Sequence, residues 1–120
     1  MDMSNVTRSM WIVIGGTIAT GPASARVVFR ALGPSLAGAG ISNPVSDPQL
    51  DLFDANGVTI SANNNWRDSQ AAAITNAGLA PSSDLESAIV ADLTPGNYTA
   101  VVSGVGGASG VALVEAYHLQ

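Results

Sequence analysis

Residues 51–66 read DLFDANGVTISANNNW, and this segment carries the clearest structural signal in the chain. It consists of two short strand-like runs joined by an Asp-Ala-Asn-Gly turn. Asn56-Gly57 is the strongest short-range signal for a β-hairpin, since both residue types tolerate a positive φ. A second turn of this kind, TPGN at residues 94–97, also separates two strand-like runs. The two turns together predict an all-β protein.

The rest of the chain continues this pattern. We predict strands at residues 11–20, 26–32, 50–53, 58–62, 85–93, 97–105 and 111–119. One short helix is expected at residues 68–77, with Asp68 as its N-cap and Gly78 as its left-handed C-cap. Strands at this spacing predict an antiparallel, jelly-roll-like β-sandwich of about seven to eight strands with one short helix.

Length and composition fit a single domain. The chain has 120 residues, of which 47% are hydrophobic and only 5% aromatic, so the core must consist of Val, Ile, Leu and Ala. Residues 1–9 are polar and are predicted to form an N-terminal arm. Residues 10–120 are predicted to form one β-sandwich domain.

The charge balance excludes several classes of partner. The four cationic residues are all arginine, and the net charge is −5. Nucleic acids and anionic lipids both require clustered cations, so we expect neither partner. The apolar run at residues 10–19 is shorter than the ~20 residues that span a membrane, so membrane insertion is not expected. We interpret this run as a strand rather than as a signal peptide, because Gly15-Gly16 interrupts its apolar residues.

Several segments resemble a module of large secreted and surface proteins of environmental bacteria. The matching segments are RVVFRALGPSL (residues 26–36), DPQLDLFDANG (47–57), NNNWRD (63–68), LAPSSDLESAIVADLTPGNYTAVVSG (79–104) and GVALVEAY (110–117). From residue 47 onward the chain is also similar to pre-peptidase C-terminal (PPC) domains. This resemblance implies a sandwich fold, an extracellular or cell-surface location and a non-catalytic accessory or repeat unit.

Oxygen-bearing side chains are concentrated around the hairpin and the asparagine run, where they could supply a calcium site. Asp84 and Glu86 add carboxylates to this region. Asp and Asn are also the ordinary residues of turns, and the spacing is not that of an EF-hand. The calcium ligands that the sequence suggests are Asp51, Asp54, Asn56 and Asp68.

The asparagine run also suggests carbohydrate binding, because an indole ring can stack on a sugar while amides reach its hydroxyls. The residues of this predicted glycan site are Asn63, Asn64, Asn65, Trp66 and Arg67. The alternative is that Trp66 closes one end of the sandwich and Arg67 pairs with a carboxylate.

Catalysis is not expected. Ser35 lies in GPSLA, which lacks the G-x-S-x-G order of a nucleophile elbow, and the only histidine is His118 at the end of a strand.

Self-association is the activity that the sequence favours, because the first and last predicted strands are apolar on both faces. The last strand should lie centrally or be covered. On a sheet edge, such strands would offer an unpaired ladder to a second copy or to a neighbouring module. The predicted contact residues are Trp11, Ile12, Ile14, Val111, Leu113 and Val114.

Overall fold

The computed structural model describes residues 3–6, 12–18, 25–107 and 110–119, the first two segments by their backbone alone. Its strands are β1 (Met3–Val6), β2 (Ile12–Ile18), β3 (Ala25–Leu32), β4 (Pro48–Phe53), β5 (Thr59–Asn63), β6 (Ser87–Leu93), β7 (Gly96–Gly104) and β8 (Ala112–Leu119). One α-helix, α1, spans Ala71–Asn76. Short 3₁₀ segments lie at Pro34–Ala39, Trp66–Asp68 and Val105–Gly107.

The strands form two antiparallel sheets. Sheet A has the order β1-β8-β3-β6, and sheet B has the order β2-β7-β4-β5. The prediction of an all-β protein with two antiparallel sheets and little helix is confirmed. Six strands, three in each sheet, have described side chains, which is fewer than the seven to eight predicted; β1 and β2 extend the sheets as backbone pairings.

Strand alternation builds the main core between the sheets. Val27, Phe29 and Ala31 of β3 pack against Leu50 and Leu52 of β4 within one buried cluster. The intervening residues of each strand point away from this cluster because successive side chains alternate between the two faces of a sheet. The aliphatic core expected from the composition is therefore present.

A smaller core lies under α1 and contains Trp66, Ile74 and Ala88. The helix begins later than predicted, with Gln70 rather than Asp68 at its N-cap position, and no side-chain cap bond is formed. Asp68 belongs instead to the preceding 3₁₀ turn. Gly78 has a φ of +74°, and its N–H donates to the Thr75 carbonyl, which confirms the predicted left-handed helix end.

The β4–β5 hairpin is confirmed and is stabilised by Asp54. Its Oδ1 accepts hydrogen bonds from the backbone N–H groups of Asn56 (2.9 Å) and Val58 (3.0 Å). Gly57 has a φ of +80°, whereas Asn56 does not adopt the positive φ that the sequence suggested. One positive-φ residue is therefore sufficient to close this turn.

The two ends of the chain lie in the sheets. Met3–Val6, inside the predicted N-terminal arm, pairs with β8 through its backbone, which requires no apolar side chains. The division into an arm and a domain stays a prediction. β8 lies between β1 and β3, so the expectation that the last strand is central is confirmed.

Candidate functional site

A buried carboxylate, Glu86, anchors the loop that follows β3. Glu86 is 0% exposed, and its Oε2 accepts hydrogen bonds from Gly33 N (2.8 Å), Ser35 N (2.9 Å) and Ser35 Oγ (2.5 Å). Its Oε1 accepts a longer bond from Ser83 N (3.3 Å). The carboxylate is thus held by neutral donors, so hydrogen bonds rather than an ion pair offset its desolvation.

The sequence contains no sign of this anchor, since it suggests Glu86 only as one more carboxylate near a possible calcium site. The partners lie 51 and 53 residues apart along the chain, and no spacing rule links them. The one available signal is the Gly-Pro-Ser turn, which directs backbone N–H groups towards a common acceptor. Nothing in a single sequence identifies which carboxylate fills that role.

The anchored loop passes close to other backbone segments. A Cβ on Gly33 would lie 2.1 Å from the Val45 carbonyl oxygen, so only glycine fits at this position. Val45 N–H donates to Val111 O (2.8 Å), and Val111 N–H donates to Asn43 O (2.8 Å). The loop is therefore joined to the strand region at both of its ends.

The predicted glycan site lies along the outer edge of β6 and beside α1. Asn63 and Trp66 are buried, at 7% and 3% exposure. The Arg67 guanidinium lies over the indole, 4.4 Å from the ring centroid, and its Nε donates to Asp84 Oδ1 (2.6 Å). Arg67 therefore covers one face of the indole, and little of the ring is exposed. Asn64 and Asn65 are half-buried in the same segment, and glycan binding stays a prediction.

The predicted calcium ligands have other partners or separate locations. Asp54 is engaged in the hairpin turn with Asn56, and Asp51 accepts a 3.4 Å bond from Gln49 Nε2. Asp68 lies in the 3₁₀ turn before α1. Within the described parts of the chain, no three His, Cys, Asp or Glu side chains form a group that could hold a metal ion. Calcium binding stays a prediction.

The predicted self-association residues divide into three groups. Trp11 lies outside the described residues, and Ile12 and Ile14 lie in β2, which is the outermost strand of sheet B. Val114 is 1% exposed and belongs to the main core. The last strand therefore cannot provide a contact edge, since β1 and β3 pair with both its sides. Val111 pairs with the 43–45 loop, and Leu113 is half-buried opposite Leu32.

The opposite edge of sheet B was not anticipated as a contact surface. β5 is outermost there, and among the described strands it pairs with β4 alone. Val58 and Ile60, at 58% and 41% exposure, are two of the four large hydrophobic residues that are exposed in the described part of the chain. Both were assigned to a strand from sequence. Their exposure depends on strand order, which the sequence pattern does not reveal.

The architecture matches a known fold. A crystal structure described as the pre-peptidase C-terminal domain of a collagenase from Bacillus anthracis is similar, with a TM-score of 0.54. This chain has a PPC-like fold. The match covers 97% of this chain and 88% of that domain at 11% sequence identity, so it establishes the fold alone. No family model and no curated protein matches the sequence.

Ser35 and His118, the residues weighed for catalysis, have separate surroundings on this PPC-like fold. The Ser35 hydroxyl donates to a carboxylate rather than to a histidine, and His118 is an exposed residue of β8. Three arginines with described side chains form carboxylate pairs: Arg26 with Asp92, Arg30 with Glu115 and Arg67 with Asp84. In the described segments, no helix combines the length and apolar character that crossing a membrane requires.

Proposed function

We propose that this chain is a non-catalytic structural or adhesive module of an extracellular or cell-surface protein and that it self-associates through the free edges of sheet B. The observation that carries the proposal is the outer edge of β5, where Val58 and Ile60 are exposed and no described strand pairs. A free edge offers backbone N–H and C=O groups to another strand, and exposed apolar side chains add burial energy.

The composition of β5 supports this proposal. Proteins commonly protect edge strands with Lys, Pro or other charged residues. Thr59–Asn63 contains none of these, and the whole chain has no lysine. β2 forms the other edge of the same sheet and carries the predicted contact residues Ile12 and Ile14. Because no described strand pairs with the outer side of β2 or β5, sheet B can pair with copies or neighbouring modules on either side.

The finer features of the proposal have separate support. The alternation of sheet positions, with order β1-β8-β3-β6 facing β2-β7-β4-β5, supports a jelly-roll-like arrangement of two Greek keys. The fold neighbour is a domain of a collagenase, which supports an accessory module in a secreted protein. Calcium or carbohydrate binding is the alternative function from the sequence, and no arrangement of the described side chains favours it.

Sedimentation velocity over a range of concentrations, followed by negative-stain microscopy, tests self-association. We expect concentration-dependent assemblies of the native chain and their loss in Ile60→Asp. Leu85→Asp is the matched control, because Leu85 is 47% exposed but lies outside the strands. Monomers at every concentration, or assemblies that Ile60→Asp and Leu85→Asp affect equally, would overturn the proposal.

A further inference from the structure

β6, one of the two outermost strands of sheet A, differs from β5 because side chains occupy the edge that faces away from β3. Ala88 N–H donates to Asn63 Oδ1 (3.0 Å). Val90 makes two bonds to a single side chain: its N–H donates to Gln70 Oε1 (2.9 Å), and its carbonyl accepts from Gln70 Nε2 (2.9 Å). These groups face away from β3, which pairs with the other side of β6.

Gln70 therefore takes the place that a residue of a neighbouring strand would hold. A primary amide offers the same C=O acceptor and N–H donor as a peptide unit, so it can satisfy both ladder groups of one residue. The backbone of the same segment contributes a further bond, from Trp66 N–H to the Glu86 carbonyl (2.9 Å). The edge from Glu86 to Val90 is thereby bonded to residues 63–70.

We propose that residues 63–70 are an edge guard, which prevents a second copy of this chain from adding a strand to β6. The sequence of β6, SAIVADL, contains neither Lys nor Pro, and its central residues Ala88–Val90 are apolar. Without the guard, β6 would be as open to strand addition as β5.

A second copy is the occupant that the guard excludes, because an uncovered β6 could pair with β6 of that copy about a two-fold axis as well as with its free β5 edge. The inference rests in this respect on the proposed self-association. With β6 covered, a second copy pairs with β5 and not with β6, among the strands whose side chains are described. The segment that contains the asparagine run thus protects a strand edge, which differs from the ligand binding that the sequence suggests.

The guard can be tested by removing the Gln70 amide while β5 is blocked. Gln70→Ala in the Ile60→Asp background deletes both bonds to Val90. If that variant does not fold, Gln70→Met is used instead, because methionine retains the side-chain length. Gln49→Ala in the same background is the control, since Gln49 is a half-buried glutamine of sheet B. Hydrogen exchange of the Val90 amide measures whether the β6 edge is covered, and sedimentation velocity measures assembly.

We expect exchange at Val90 to accelerate about fivefold or more, as the loss of one net hydrogen bond implies. We also expect assemblies to reappear in the Gln70 variants, with neither effect in the control. A Val90 amide that exchanges faster in a chain that remains monomeric would overturn the guard while leaving the proposed β5 contact intact. Unchanged exchange at Val90 would overturn it as well.

If the native chain is itself monomeric but Gln70→Ala assembles, the guard stands and the proposed function fails. The two proposals therefore have separate outcomes.

Discussion

Replacing Glu86 with glutamine should destabilise the fold far more than any comparable change at the surface. The substitution preserves side-chain shape but removes the charge that three short hydrogen bonds from Gly33 and Ser35 share. Charge-assisted hydrogen bonds are about twice as strong as neutral ones and contribute ~1.5–3 kcal/mol each, so the loss is about 1 kcal/mol per bond. Three bonds give a decrease in the free energy of unfolding of about 3 kcal/mol.

Urea unfolding followed by tryptophan fluorescence measures this difference, because Trp66 is buried in the native state. Asp84→Asn is the matched control, since it removes the same charge from an ion pair whose side chains are 60% and 72% exposed. Exposed pairs contribute less than about 1 kcal/mol, so the control should stay close to the native chain. A Glu86→Gln variant within about 1 kcal/mol of the native chain would show that the carboxylate does not anchor the loop.

Three further predictions concern single features. Gly57→Ala should lower the free energy of unfolding by about 1 kcal/mol, because the φ of Gly57 is +80°, although an added Cβ would meet no atom within 4 Å. An unchanged urea midpoint would contradict this expectation. Burial raises the pKa of Asp47, so its contribution to stability is greatest below the ordinary carboxyl pKa and falls as pH rises through the raised value. Asp47→Asn should therefore have the higher melting temperature at neutral pH and match the native chain in acid. Millimolar calcium should leave the melting temperature unchanged, because Asp54 is engaged in its turn, and a rise that EDTA reverses would restore the calcium hypothesis.

Local patterns predicted the elements of this fold well. The Asn56-Gly57 turn and the alternation of Val27, Phe29 and Ala31 were sufficient to place a hairpin and a half-buried strand. Turn geometry and side-chain alternation depend on neighbouring residues, which a sequence displays directly. The helix start was wrong by three residues because an Asp that can cap a helix can equally occupy a 3₁₀ turn.

The functional surfaces were less accessible because they depend on contacts between distant segments. Glu86 and Gln70 were not identified, since their partners lie 20 to 53 residues away in the chain. Val114 was expected at a contact surface but lies in the core, because strand order places β8 between two neighbours. Whether a strand edge is free or covered depends on the order of the strands in the sheet and not on the sequence of one strand.

The position of Glu86 also constrains which strand register the chain can adopt. Ala31 stands opposite Ser87 in the β3–β6 pairing, and Glu86 immediately precedes this pair. A slip of one residue would transfer each side chain of a strand to the opposite face and separate the carboxylate from Gly33 and Ser35. An unpartnered buried charge costs several kcal/mol, so every shifted register is penalised at this one residue. Glu86 therefore favours the native register over shifted ones, between which an aliphatic core alone discriminates less.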